Sequence, residues 1–257
     1  MMILKPFAST SNRLYLMIAV VEAVLFLAIW FASSFGLVPT PFEILSAWHR
    51  LASSEGLLVE LWASSVTLAK AIVLTSLISF GAAYLATAAV FKPIVTWATG
   101  FRFLGFAGIT FFFTMWTDDG SSLKLALLTF GMSVFMLTTA LAIVNSTTQE
   151  EIDYARTLGL DGWQITWEIV IRGKLDETLD AIRQNAAIGW VMLSMVEGLV
   201  RSEGGIGLLL LTNSKFLNLN AIFAIQFTIL GYGILQDIFL RWIRTIICPY
   251  IVEGKSK

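Results

Sequence analysis

The chain has 257 residues, of which 57% are hydrophobic and 14% charged, with net charge -1 and mean hydropathy +0.78. A soluble domain carries about 25% charged residues, so much of this surface meets lipid, and no basic field for nucleic acid exists. One cysteine, Cys248, and one histidine, His49, exclude an intrachain disulfide framework and Cys-based or multi-His metal sites.

Six apolar spans are predicted. The first runs from Leu14 to Gly36 and the second from Trp62 to Val90. A third, rich in aromatics, reaches from Phe103 to Trp116, and a fourth from Leu123 to Val144. The fifth, Ala186 to Val200, has a polar lead-in from Thr178. The sixth, Ala221 to Ile247, carries charge in its last turns. A helix needs about 20 residues to cross a ~30 Å hydrocarbon core. Spans three and five are short by that test and are expected to extend into polar turns or to pack inside the bundle. Backbone groups in lipid must be paired within the segment, and no alternating barrel pattern is present, so the spans are helices. No repeat or low-complexity linker divides the chain. The fold class is therefore an all-α membrane protein with about six transmembrane helices, one transmembrane domain over 1–257. The start, Met1 to Asn12, lacks a signal-peptide layout.

Between spans one and two, Pro39 to Glu60 opens Pro-Thr-Pro and continues as a short amphipathic helix with Phe42, Leu45, Trp48 and Leu51 as its apolar stripe. The Lys/Arg bias sets orientation. Lys92, Arg156, Arg172, Lys174 and Arg244 share a side with the terminal Lys5, Lys255 and Lys257, against Arg50, Lys124, Arg201 and Lys215 on the other. Both termini and the polar loop 145–177 are thus expected in the cytoplasm.

That loop holds the clearest local signals. Thr148 and Glu151 fit a capping box. Ile152, Ala155 and Leu158 recur at helical spacing, and Gly159 stands where a helix ends in the left-handed region. Asp161 with Gln164 fits a second helix start, followed by a stripe of Trp163, Trp167, Val170 and Ile171. Large apolar side chains on so short a helix call for burial against the bundle or a partner.

The run Asp153-Tyr154-Ala155-Arg156-Thr157-Leu158-Gly159, then Trp163-Gln164 and Val170-Ile171-Arg172, resembles the cytoplasmic "EAA" loop of ABC importer permease subunits, in the nitrate/taurine/sulfonate/bicarbonate branch. Before the loop, Phe113-Thr114-Met115-Trp116 resembles the end of the family's third span; after it, Glu197 followed by Gly204-Gly205-Ile206-Gly207, and the pair Asp237 and Arg241, are similar to later segments, all in the same order. The chain departs from the pattern at Tyr154 and Arg172, where the family has Ala and Pro. It also has no proline in Phe103-Leu104-Gly105-Phe106, and it lacks a basic residue at Val66-Thr67, with Lys70 one turn on. These departures mark a divergent member.

The resemblance implies a type I importer bundle in a bacterial plasma membrane. Two permease subunits, identical or different, pair around a pathway, and each inserts a coupling helix into a cytoplasmic ABC ATPase. An extracytoplasmic binding protein delivers a small anion such as nitrate, bicarbonate, taurine or a sulfonate. Asp153, Tyr154, Ala155, Arg156, Leu158, Gly159 and Trp163 are then the ATPase-coupling residues. The chain is not expected to be an enzyme or to hold a cofactor, ATP and Mg belonging to the partner. It has no G-x-x-x-x-G-K-[ST] loop, since Pro249 stands where Gly254-Lys255-Ser256 would need a glycine.

Charges inside spans are expensive and suggest function. Glu197 is read as lining the pathway or holding a subunit contact, against a place at the outer interface beside Arg201. Glu22 and Lys70 are candidates for a place in the pathway or gate; otherwise they are expected to pair with each other or with Glu60, or to snorkel. Arg183 is read either as part of an inner gate or as a headgroup anchor where span five starts. The aromatic run from Phe101 to Phe113 lines an apolar route or faces lipid. The alternative functional class is a channel-like or scaffold subunit without ATP-driven transport. An intramembrane aspartyl enzyme would need Asp180 and Asp237, both near the cytoplasmic edge.

Overall fold

The structure, a computed structural model, describes residues 12–32 and 38–249. Lys5, Lys255, Lys257, the Gly254-Lys255-Ser256 tail and the end of the first predicted span lie outside the described residues. The helices are α1 (Asn12–Ala32), α2 (Pro41–Ser54), α3 (Leu57–Leu85), α4 (Lys92–Ala98), α5 (Phe106–Thr114) and α6 (Gly120–Asn145). They continue with α7 (Gln149–Thr157), α8 (Gly162–Ile165), α9 (Leu175–Leu199), α10 (Ile206–Lys215) and α11 (Leu219–Ile247). Among the described residues there is no strand.

The frame is α3 against α6. Every third or fourth residue of α3 on one face is small or aliphatic, Ser64, Leu68, Ala71, Thr75, Ser79 and Ala83, and all are buried. Small residues let membrane helices approach closely, and their hydroxyls are satisfied across the contact. Thr75 Oγ1 donates to the Thr129 carbonyl at 3.4 Å, and Ser79 Oγ to that of Ser133 at 3.0 Å. The register rises together on both helices, so α3 and α6 run parallel. The chain between them must therefore recross the bilayer. It does so as a bent pair, Lys92–Phe103 and Gly108–Thr114, with a 112° angle. This corrects the single third span expected over 103–116. The break falls at Leu104 and Gly105, both extended, with ψ 129° and 139°. The turn forms there without the family's prolines. What fixes it is remote: the Phe106 ring fills the space a Cβ on Gly131 of α6 would need.

The remaining helices alternate in direction. Tyr84 near the end of α3 meets Thr178 near the start of α9, whereas Ser64 near the start of α3 meets Glu197 near the end of α9. On α11, Arg244 meets Asp176 and Asp180, and Trp190 donates to Gln236 Oε1 at 2.7 Å. Residues 85–92, 145–175 and 244 thus share one side, and 54–60, 117–124 and 197–219 the other. Helices α3, α6 and α11 are long and apolar enough to span by composition, with a fourth span if the bent pair counts as one. The fifth predicted span begins earlier than expected, because its polar lead-in belongs to the first three turns of the 25-residue α9. The second also begins earlier, at Leu57, and takes Glu60 into its first turn. Helix α1 lies at the periphery, with Leu16, Val20 and Val24 exposed. Trp30 near its end stacks on Phe227 and donates to the Pro39 carbonyl.

The stripe predicted for α2 is buried at Leu51 and turned away from the core at its first two positions. Ile44, Ala47 and Leu51 are buried, while Phe42 and Leu45 are exposed. Both series repeat at helical spacing, and docking on α11 and α3 selects one of them. Trp48 keeps partial contact by donating to Thr228 Oγ1 at 3.1 Å. The interior is one cluster centred on Leu68, Leu128, Met132, Leu193 and Ile225, flanked by a second toward the 85/145 end and a third toward the 120/200 end.

Candidate coupling site

The loop after α6 folds as its local chemistry dictates. Thr148 Oγ1 accepts from the Glu151 N–H at 3.3 Å, and the Glu151 carboxylate accepts from the Thr148 N–H at 2.8 Å. That backbone N–H holds the Glu151 carboxyl below its usual range. At the other end of α7 the N–H of Gly159 donates to the Arg156 carbonyl (2.9 Å) and that of Leu160 to the Ala155 carbonyl (3.3 Å). This pair of bonds is the Schellman stop, and it requires the φ of +80° that Gly159 adopts. Asp161 and Gln164 then form a second capping box at α8, with bonds of 2.8 and 2.9 Å. From Thr166 to Arg172 the helix widens to π geometry, closed by the Gly173 N–H on the Glu168 carbonyl at 3.1 Å.

The coupling residues read from the sequence fall on two sides of this element. Ala155 is buried, and with Ile165, Thr166 and Val170 it seats the loop on the bundle. Tyr154, Leu158, Trp163 and Trp167 are all more than half exposed. The predicted stripe therefore divides: Val170 points in, while Trp163 and Trp167 point out. A Cβ on Gly159 would meet nothing within 4 Å. Asp153 and Arg156 pair at 3.1 Å on the exposed face. The result is a rigid, doubly capped projection whose bare surface is apolar and aromatic. Such a surface suits insertion into a partner's groove.

Glu197 occupies neither place expected for it. It is fully buried between α3, α6 and α10. Its Oε1 accepts from Ser64 Oγ at 2.6 Å and lies 3.9 Å from Lys124 Nζ, and its Oε2 accepts from the Gly207 N–H at 2.8 Å. Ser64 Oγ in turn accepts from the Ile206 N–H, the Glu60 carboxylate from the Gly205 N–H, and Lys124 donates to the Gly204 carbonyl at 3.0 Å. Three consecutive unpaired N–H groups at the start of α10 are thus satisfied by side chains, with two carboxylates at the positive end of the helix. Gly205 is forced twice: its φ is +110°, and a Cβ would lie 2.2 Å from the Glu197 carboxylate. Sequence reasoning missed Lys124, Ser64 and Glu60 as members of this cluster. A lysine in the second turn of an apolar helix was the available signal.

Arg183 bridges α9 and α11. It pairs with Asp180 at 3.0 Å and with Asp237 at 2.5 Å, and Asp237 also takes Arg241 at 2.9 Å. Arg244 takes Asp176 and Asp180 at 2.8 and 3.1 Å. Three carboxylates and three guanidinium groups alternate along the helix pair. With both carboxylates of the notional Asp180/Asp237 dyad held by arginines, neither faces the other across a shared proton. Glu22 and Lys70 are exposed, and neither pairs with the other or with Glu60 among the described residues. The aromatic run also divides. Phe101 and Phe106, with Phe130, Met192 and Met195, line an apolar cavity of about 1030 Å³ between the bent pair, α6, α9 and α10, while Phe103, Phe111 and Phe112 face outward. Among the described residues no group of three or more His, Cys, Asp or Glu is placed to hold a metal.

The fold is that of an all-α, multi-pass membrane protein with a projecting loop on one side. No family model matches the chain. It is 26% identical over 136 residues to the taurine transport system permease protein TauC of Escherichia coli (strain K12), a match covering 53% of this chain and 49% of that protein. The chain spans about half the length of this curated relative. The resemblance to a divergent ABC importer permease, read above from the loop and the segments after it, is borne out by this similarity.

Proposed function

We propose that the chain is the membrane-spanning subunit of an ATP-binding-cassette importer in a bacterial plasma membrane, with the 145–175 side in the cytoplasm. In this reading two such subunits, identical or paired with a different permease, enclose the substrate route. The apolar cavity beside α6 and α9 contributes to that route. A separate ATPase carries ATP and Mg, and closure of the ATPase pair moves the α7–α8 projections together, switching the bundle between outward- and inward-facing states. A binding protein on the α2/α10 side hands over the substrate. The similarity to a taurine permease supports a small anion, of the taurine, sulfonate, nitrate or bicarbonate kind, as cargo.

The observation that carries the reading is the bare aromatic surface of a loop that its own caps hold rigid. Gly159→Pro removes an N–H that donates to Arg156 and forbids a φ of +80°. Gly159→Asn keeps the N–H and tolerates the left-handed region. In the reconstituted complex, substrate-stimulated ATP hydrolysis is expected to vanish in the proline variant and persist in the asparagine variant. Undiminished stimulation in a normally expressed Gly159→Pro protein overturns the coupling role.

A further inference from the structure

A second cavity, of about 520 Å³, opens at the root of the loop, where the ends of α3 and α6 meet α7 and α8. Its wall carries two cations, Lys92 and Arg156, and the polar side chains of Thr87, Asn145, Thr147 and Thr166, and no carboxylate among the described residues lines it. The Thr166 hydroxyl lies 3.0 Å from the Gly162 carbonyl and 3.3 Å from Thr87 Oγ1, and the Thr87 hydroxyl donates to the Tyr84 carbonyl at 2.7 Å. Thr147 Oγ1 is buried and has no hydrogen-bond partner, and Lys92 forms no ion pair among the described residues. Arg156 is held on its outer side by Asp153, which leaves further N–H groups for another acceptor. A buried hydroxyl without a partner is costly unless something else meets it, and the exposed Lys92 ammonium is free to swing onto an acceptor at the cavity mouth. An unpaired lysine, an arginine with N–H groups to spare and one free hydroxyl donor are the chemistry that receives a phosphate.

We infer that this cavity is a phosphate-binding site at the hinge of the projecting loop, filled by the headgroup of an anionic phospholipid or by a free phosphate anion. Lys92 and Arg156 supply the charge, and Thr147 the free hydroxyl. Val90, Phe91 and Ile94 flank Lys92 and are all exposed. They set the rim of the cavity at the depth where acyl chains begin and a headgroup lies within reach. The occupant touches α3, α6, α7 and α8 together, and so fixes the angle of the projection on the bundle.

The test is native mass spectrometry of the full chain in detergent, titrated with phosphatidylglycerol or phosphatidylcholine, beside hydrogen exchange with and without inorganic phosphate. One phosphatidylglycerol is expected to be retained in preference to phosphatidylcholine. Losing one charge-assisted contact weakens binding about tenfold or more. Lys92→Gln with Arg156→Gln should show at least that loss, and Lys92→Arg should keep the lipid. If no lipid preference appears but inorganic phosphate slows exchange over 87–92 and 145–166 in the parent and not in the double variant, the free anion is the occupant. Retention of phosphatidylglycerol by the double variant, or no binding of either probe to the parent, overturns the site. Should the double variant fail to fold, Lys92→Gln alone and Thr147→Val are read in the same way. Neither readout involves ATP hydrolysis, so this outcome is independent of the coupling role.

Discussion

Glu197 is worth more as a bond-maker than as a charge. Its two oxygens meet Ser64, Lys124 and the Gly207 amide with no water-accessible surface left. Truncating one member of a buried ion pair leaves the other uncompensated and costs about 3–5 kcal/mol. Glu197→Ala should destabilise the chain by about that amount in detergent-solubilised unfolding and speed exchange at Gly205 to Gly207. Glu197→Gln keeps the shape and one of the two accepting oxygens, and should cost less than alanine. An alanine variant as stable as the parent is incompatible with this account. Asp119 is a simpler case, at the exposed start of α6. Its carboxylate accepts from the Ser122 N–H at 3.1 Å and from the Ser121 hydroxyl, which together hold it at about 2 against an ordinary 3.8. A folded value below the unfolded one adds stability that is complete above 3.8 and is lost as pH falls through about 2. The gap in melting temperature between the parent and Asp119→Asn should therefore close across that window, and a gap constant down to pH 2 would contradict the cap.

At the scale of elements, local signals were legible and remote ones were not. The caps at Thr148, Gly159 and Asp161 each depend on residues three to five apart, so the sequence alone places them, and the structure has all three. Which face of a helix is buried depends on what it docks against. That is why only part of each predicted stripe, Leu51 on α2 and Val170 after α8, is buried in the bundle, and why Glu197 was not connected to Ser64, 133 positions distant. The bend at Leu104 and Gly105 is likewise set by Phe106 against Gly131. The ion ladder between α9 and α11 illustrates the same limit, since its Asp237 and Arg241 were legible as a pair but Arg183 and Arg244 joined them only through the fold. Each carboxylate that Arg183 touches keeps a second arginine: Arg244 for Asp180 and Arg241 for Asp237. These groups are about a quarter exposed, so screening limits each pair to about 1 kcal/mol or less. Arg183→Ala should therefore cost little alone, and Arg244→Ala, which leaves Asp176 without an arginine, somewhat more. The double variant leaves Asp180 with no arginine partner and should cost more than the two singles together. Strict additivity in a double-mutant cycle would show that the ladder is not a unit.

For the whole molecule, the parallel pairing of α3 with α6 decides topology more firmly than counting apolar runs. Among the described residues three helices are long and apolar enough to span outright, yet two parallel helices in one bilayer require the segment between them to cross back. The same geometry puts residue 54 and residue 150 on opposite sides. Ser54 ends α2 beside the start of α3, and Glu150 lies in the first turn of α7, beyond the end of α6; both are exposed. The single native thiol, Cys248, is buried, so the parent should react slowly with a bulky, membrane-impermeant maleimide. Ser54→Cys is expected to label in intact cells and Glu150→Cys only after permeabilisation. The reverse order would keep the fold but invert the protein in the membrane, placing the α7–α8 projection where no cytoplasmic ATPase can reach it. Labelling of both positions from one side would contradict the parallel register itself, because Thr75 and Ser79 are paired with Thr129 and Ser133 in only one direction.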